Sequence, residues 1–291
     1  MGTVGFPVAP LTMPVPGYIR IMVWVPPSAR HLPPHVQEVI YDPRNSRVVV
    51  PAGRFEMGAG EDDGEAMDRE KPRHEVEITR TIEMFGAPLT QSIWELFGPK
   101  VNWGFKGPLR PVENVSWYDA VRWCNELSER EGYRAAYEIT GERGEWCRGE
   151  YSFEVRQYLD RPGWRLPTEA EWERACRAGT ETPRYGPLDE VAWHGGNSGG
   201  QTQPVGEKAW NAWKLMDMLG NVEEWCWDRY GPYASGRQVD PEGPATGDTR
   251  VIRGGAWYYD PLHCRAAYRG YWRRPGIRDD RVGLRPVRSL L

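Results

Sequence analysis

Two short capped helical segments stand in a chain otherwise punctuated by turn residues. That pattern confines the fold to a loop-rich mixture of small elements. The first segment opens at Asn114-Val115-Ser116-Trp117-Tyr118-Asp119-Ala120. Ser116 fits an N-cap, and Asp119, third in the helix, answers it in the manner of a capping box. Val121, Cys124 and Leu127 give the apolar face, and Gly132 ends the helix. The second segment runs through Arg165-Leu166-Pro167-Thr168-Glu169-Ala170-Glu171-Trp172-Glu173. Thr168 caps, Glu171 reciprocates, Ala175 and Cys176 extend the buried face, and Gly179 stops it. Around these helices lie 33 Gly and 26 Pro, with 15 Trp, in 291 residues. Such a chain folds as ordered loops pinned by large aromatic side chains.

The remaining elements are short. Val48 to Gly58 reads as a strand, a turn at Pro51-Ala52-Gly53 and a second strand. Gly60 to Arg69 is an acidic loop, and His74-Glu75-Val76-Glu77-Ile78 alternates as a strand does. Residues 133–163 read as a strand pair or an irregular insert, and 180–250 as mostly ordered loop. Residues 1–47, with paired prolines at 26–27 and 33–34, form an expected N-terminal extension packed on the body. The expected domain spans 48–291.

Charge and cysteine usage exclude several classes. A formal net charge of −4 gives no electrostatic case for nucleic acid binding. Ile21-Met22-Val23-Trp24-Val25 is too short to span a bilayer. The start MGTVGFPVAP lacks a basic head and a long apolar run, so no signal peptide is expected. The expected location is the cytoplasm or a phage or cell surface, and the expected assembly a monomer. Cys124, Cys147, Cys176, Cys226 and Cys264 are far apart and odd in number, which argues against a zinc site or a disulfide framework. Cys124, Cys176 and Cys226 read as small core hydrophobes. The five His lack metal-ligand grouping. Positive charge is nearly all Arg, with Lys only at 71, 100, 106, 208 and 214. A GC-rich genome and a thermostable protein both fit that bias, and the two are compatible.

The tail from Val251 has a different character. A frame of Arg253-Gly254-Gly255-Ala256-Trp257, Cys264-Arg265-Ala266-Ala267-Tyr268-Arg269 and Val282-Gly283-Leu284-Arg285 is interrupted twice. One interruption holds Tyr258, Tyr259, Asp260, Pro261, Leu262 and His263, and the other runs from Gly270 to Arg281. Both mix aromatics and charges without a helical or strand period. Rigid rings beside charges, with no burial pattern, read as a recognition surface. Burial of the rings as core is the competing reading. Unpaired Asp260, Asp279, Asp280 and Arg281 would be costly there.

Six stretches resemble the formylglycine-generating-enzyme (sulfatase-modifying factor) family. They are Pro51-Ala52-Gly53-Arg54-Phe55-Glu56-Met57-Gly58, Pro111-Val112-Glu113-Asn114-Val115-Ser116-Trp117, Arg165 to Trp172, Asp217-Met218-Leu219-Gly220-Asn221-Val222-Glu223-Glu224-Trp225, Arg253 to Trp257, and Gly283-Leu284-Arg285. The resemblance covers roughly residues 48–288 and implies an α+β C-type lectin-like fold: loop-rich, two helices and small antiparallel sheets. Family oxidases use two cysteines after this Gly-Gly motif. Cys264 stands where the second is expected, but Tyr259 occupies the place of the first. A phenol cannot replace a thiolate on soft copper.

The tail also resembles the variable region of diversity-generating-retroelement variable proteins, many of which use this scaffold. In them adenines of a template are randomised, so Asn codons become many residues. Tyr258, Tyr259, Asp260, Leu262, His263, Gly270, Tyr271, Ile277, Asp279, Asp280 and Arg281 are each reachable from an Asn codon, and Trp272 from AGG. The resemblance therefore implies a non-enzymatic ligand-binding protein with a variable region of about 251–288. Its partner would be a protein or surface ligand, in a phage or prophage setting. The alternative is an oxidase or related enzyme working through Cys264. Leu219, Gly220, Val222 and Glu224 match a structural calcium site of family enzymes, with pairing of Glu224 to an Arg as the competing reading. No catalytic residue is assigned. Glu169, Glu171 and Glu173 fall in a first helical turn, where the helix dipole favours carboxylates.

Overall fold

A computed structural model describes residues 46–61, 63–143, 152–270 and 273–291. Residues 1–45 of the N-terminal extension, Cys147 and the sites Tyr271 and Trp272 lie outside the described residues. The strands, in chain order, are β1 Arg47–Val50, β2 Gly53–Met57, β3 His74–Ile78, β4 Ile82–Phe85, β5 Tyr137–Arg143, β6 Ser152–Gln157 and β7 Trp164–Arg165. They continue as β8 Ala192–Trp193, β9 Leu219–Gly220, β10 Glu223–Arg229, β11 Gln238–Val239, β12 Arg250–Arg253, β13 Val282–Gly283 and β14 Val287–Ser289. Among the described residues two helices exceed a single turn, α1 Trp117–Arg130 and α2 Glu169–Arg177.

Both helices start where the caps place them. Ser116 accepts from the Asp119 amide, and Asp119 accepts from the Ser116 amide at 2.9 Å. Thr168 and Glu171 make the same reciprocal pair on α2. Val121, Cys124 and Leu127 are buried, as the period requires. The two strands flanking Pro51-Ala52-Gly53 form, but they do not pair with each other. β1 lies antiparallel to β4, and β2 antiparallel to β3. The turn hands the chain from one sheet to another.

The largest sheet has the order β1-β4-β14-β7 and is antiparallel throughout. It joins the start of the domain to its last strand. A second sheet, β12-β10-β13, carries the tail, and a third has the order β11-β3-β2. The expectation of antiparallel sheets holds only in part. β13 runs parallel to β10, β11 to β3 and β9 to β8. Each parallel pair spans two residues, a length that long loops can deliver in either direction. β5 and β6 form the strand pair read in 133–163.

The core answers the tryptophan count. Trp94, Trp117, Trp123, Trp164, Trp172 and Trp225 are fully buried. Trp94 and Trp123 stack at 6.0 Å, and Phe85 meets Trp164 edge-on at 5.1 Å. Buried indole N–H groups need acceptors. Trp117 donates to the Cys226 carbonyl and Trp225 to the Val115 carbonyl, each at 3.0 Å. Arginine is the second structural residue. Arg165, Arg253, Arg265, Arg269 and Arg285 are fully buried, and each holds a carboxylate. A planar fork that grips both carboxylate oxygens suits this role better than a lysine ammonium. Among the described residues no helix is long and apolar enough to cross a membrane.

Candidate ligand-binding surface

The tail begins on β12 and leaves it through Gly254 and Gly255, at φ +108° and +75°. A Cβ on Gly255 would sit 2.8 Å from the His263 carbonyl, so the backbone folds back tightly here. Trp257 follows, 8% exposed. Its amide donates to the Asn221 carbonyl, and its carbonyl accepts from Ser198 Oγ at 2.7 Å. Its indole N–H donates to the Asp280 carbonyl at 3.1 Å, and its ring meets Phe105 edge-on at 4.9 Å. One buried ring thus ties the loop at 258–263 to the loop at 279–281.

The rest of the frame is equally anchored. Cys264, Arg265, Ala266, Ala267, Tyr268 and Arg269 are buried. Arg265 grips Glu70 through two bonds of 2.7 and 3.0 Å and also reaches Asp63. Arg269 grips Glu169 at 2.7 and 2.8 Å. Arg253 pairs with Glu169 and Glu173. The acidic first turn of α2 is therefore ion-paired in the core, a stronger hold than the helix dipole alone.

Between these anchors the side chains reach solvent. Tyr258 is 62% exposed, Asp260 is exposed, and Tyr259, Leu262 and His263 are half-buried. The rings of Tyr258 and Tyr259 lie 6.0 Å apart, and those of Tyr259 and His263 5.2 Å. The Tyr259 carbonyl accepts from the Gly195 amide at 2.8 Å, which pins the loop from below. On the second loop, Arg281 grips Asp279 at 2.6 and 2.7 Å and lies 5.6 and 5.4 Å from the Tyr258 and Tyr259 rings. Asp280 approaches Arg281 at 3.9 Å and is partly exposed. Tyr258, Tyr259, His263, Asp279, Asp280 and Arg281 thus form one connected cluster over both loops. Ile277 is 43% exposed, with no contact to that cluster among the described ones.

The reading of Gly270 changes, Glu224 takes the second of its two readings, and Cys264 is buried with the frame. Gly270 is buried, and a Cβ there would press into Glu223 and Ile252, so it belongs to the packed frame. Glu224 does not present free oxygens for calcium. Its carboxylate accepts from Arg285 at 2.9 to 3.1 Å and from the Trp172 indole at 2.7 Å. Leu219 and Gly220 form β9, and Val222 is buried beside them. The carboxylate at this turn neutralises a buried guanidinium, so the calcium reading gives way to the ion pair. Cys264 is fully buried, and desolvation pushes its thiol up to about 12. A thiol held protonated is a poor nucleophile and metal ligand.

Two carboxylates beneath the surface escaped the sequence reading. Glu223 is fully buried, neither of its oxygens has a hydrogen-bond partner among the described residues, and burial raises its pKa to about 8. Glu113 is buried, accepts from the Gly104 and Phe105 amides, and is raised to about 7, chiefly by desolvation. The signal for Glu223 was present. Val222-Glu223-Glu224-Trp225 sets two acids side by side in a strand, and alternation sends them to opposite faces. Glu224 meets Arg285 on one face, and Glu223 lies under Gly270 on the other.

Residues 35–290 match the sulfatase-modifying factor enzyme 1-like domain. Chaperone protein LppX of Paenibacillus barcinonensis is 33% identical over 230 residues, covering 69% of this chain and 78% of that protein. The formylglycine-generating enzyme of Streptomyces coelicolor is 30% identical over 262 residues, covering 76% and 82%. Among solved structures, Treponema denticola variable protein 1 superposes with a TM-score of 0.72 at 28% identity, covering 84% of this chain and 95% of that one.

Proposed function

The chain belongs to the sulfatase-modifying factor enzyme 1-like domain family, and we propose that it uses this scaffold as a non-enzymatic receptor. The receptor displays a surface patch diversified by a retroelement and binds a partner protein or surface ligand. The relatives' names include a chaperone, a formylglycine-generating enzyme and a variable protein, so the fold alone assigns no role. The site must decide.

The observation that carries the reading is the contrast within the tail. Tyr258, Tyr259, Asp260, Leu262, His263, Ile277, Asp279, Asp280 and Arg281 are exposed or half-exposed, while the frame on either side is buried and clamped. Tyrosine rings supply contact area at low entropy cost, and Arg281 and Asp280 supply orientation. Likeness to a variable protein over most of both chains supports the same reading. The oxidase reading asks for a reactive thiol at Cys264 and a second one at Tyr259. The first is buried and protonated, and the second is a phenol.

The test is the DNA beside the coding sequence. A reverse-transcriptase gene and a near-copy of the codons for 251–291, differing only at adenines, are the expected result. A flanking region with neither, together with copper-dependent oxidation of a thiol substrate by the protein, would overturn the proposal.

A further inference from the structure

A cleft of about 760 Å³ lies beside the β5–β6 pair. None of its lining residues belongs to the loops 258–263 or 279–281. Its volume falls in the range of small-molecule sites. Tyr118 and Phe153 form aromatic walls, edge-on to each other at 4.6 Å. Arg250 lines it too, 7% exposed, with its guanidinium 3.8 Å from the Trp117 ring and 5.0 Å from that of Trp227. Glu154 and Asp248 line the cleft as exposed residues.

Arg250 differs from the other deeply buried arginines named above. Arg165, Arg253, Arg265, Arg269 and Arg285 each hold a carboxylate. Arg250 has none within ion-pair distance among the described residues. Among the described residues its guanidinium makes one hydrogen bond, from Nη1 to the Trp227 carbonyl. A buried cation without a counter-ion is costly, and stacking on two indoles offsets only part of that cost. Burial also lowers its pKa to about 10, the direction expected of a cation lacking an anion.

We propose that this cleft is a second binding site, for small aminocarboxylates. The ligand's carboxylate meets the Arg250 fork, its apolar body packs on Tyr118 and Phe153, and its cationic group stays by Glu154 and Asp248. A guanidinium presents parallel donors to a carboxylate, and the low-dielectric setting strengthens that pair. Glu138, Arg156 and Arg229 line the cleft as well, so its lining carries three carboxylates and three guanidiniums and suits a ligand that carries both charges. This inference does not rest on the tail patch.

The experiment is calorimetric titration at neutral pH with 4-(aminomethyl)benzoate, benzoate and benzylamine. The expected order is 4-(aminomethyl)benzoate tightest, then benzoate, with benzylamine weakest. Arg250→Gln should weaken 4-(aminomethyl)benzoate about ten- to a hundredfold. Glu154→Gln with Asp248→Asn should bring 4-(aminomethyl)benzoate down to the level of benzoate. Substituting Tyr258, Tyr259 and Asp280 together should change nothing, which separates this site from the tail. No binding of either carboxylate, or equal affinity in wild type and Arg250→Gln, overturns the proposal. Should Arg250→Gln fail to fold, the exposed rim variant decides. Loss of the preference for 4-(aminomethyl)benzoate supports the site, and an unchanged preference sinks it.

Discussion

Glu223→Gln should flatten the pH dependence of folding stability. Glu223 stays neutral in the folded chain to about pH 8, against an ordinary value of 4.5. The unfolded chain releases this proton above 4.5, so across that window the folded state binds more protons. The stability associated with the neutral acid is fully present below 4.5 and is lost as pH rises through about 8. The slope for one such group is about 1.4 kcal/mol per pH unit. Over the whole window it accumulates to about 4–5 kcal/mol, a large share of a typical domain's stability. Glutamine keeps the volume and removes the ionisation. Its unpartnered amide costs about 1–3 kcal/mol at every pH, which moves the curve without tilting it. Glu113 and Asp217, also raised by burial, are present in both proteins and cancel in the comparison. The assay is urea unfolding at several pH values from about 5 to about 8. Parallel pH profiles for wild type and Glu223→Gln would refute the argument, because they would mean that Glu223 finds a counter-charge when folded.

Further outcomes follow from the same reading. Joint substitution of Tyr258, Tyr259, Asp260, His263 and Asp280 should shift stability by about 0.5 kcal/mol or less per site. Trp257→Ala should cost roughly 3–5 kcal/mol, so equal losses in thermal melts would mean that the loops are ordinary core. Arg285→Met leaves Glu224 buried and unpaired and should cost about 3–5 kcal/mol. Added calcium should leave the wild-type melting temperature unchanged, and a clear rise would restore the cation reading of Glu224. Gly270→Ala should destabilise by about 1–3 kcal/mol through overpacking against Glu223 and Ile252; a neutral result would return position 270 to the variable set. Copper and a cysteine-containing sulfatase peptide should give no formylglycine by mass spectrometry, and turnover above a metal-only control would revive the oxidase.

The helices were legible because their signals are local. Ser116, Asp119, Thr168 and Glu171 sit within one turn of the groups they satisfy. The split between frame and loops in the tail was legible for a related reason. Trp257 and the run from Cys264 to Arg269 keep an apolar or Gly-rich context, and the interruptions do not. Partnership across the chain was not legible. Nothing near Arg265 points to Glu70, nor anything near Arg285 to Glu224. The arginine bias was therefore read as a trait of genome or temperature, whereas several of those residues are internal counter-ions. The same gap left Glu224 open between a cation and an arginine, because the partner that settles it lies 61 positions away. Sheet pairing was likewise not legible at Pro51-Ala52-Gly53, because a turn signal does not say which strand comes next to which.

The arginine clamps also bear on how quickly this chain reaches its native state. Arg265 meets Glu70 across 195 positions, and Arg285 meets the Phe85 carbonyl across 200. Contacts of such sequence separation close late and slowly, since long loops must be ordered before the contact stabilises them. The side chains of Tyr258, Asp260 and Ile277 make none of these closures. Exchanging them leaves the slow steps untouched, so copies that differ only there should fold on one common clock, whatever they are selected to hold.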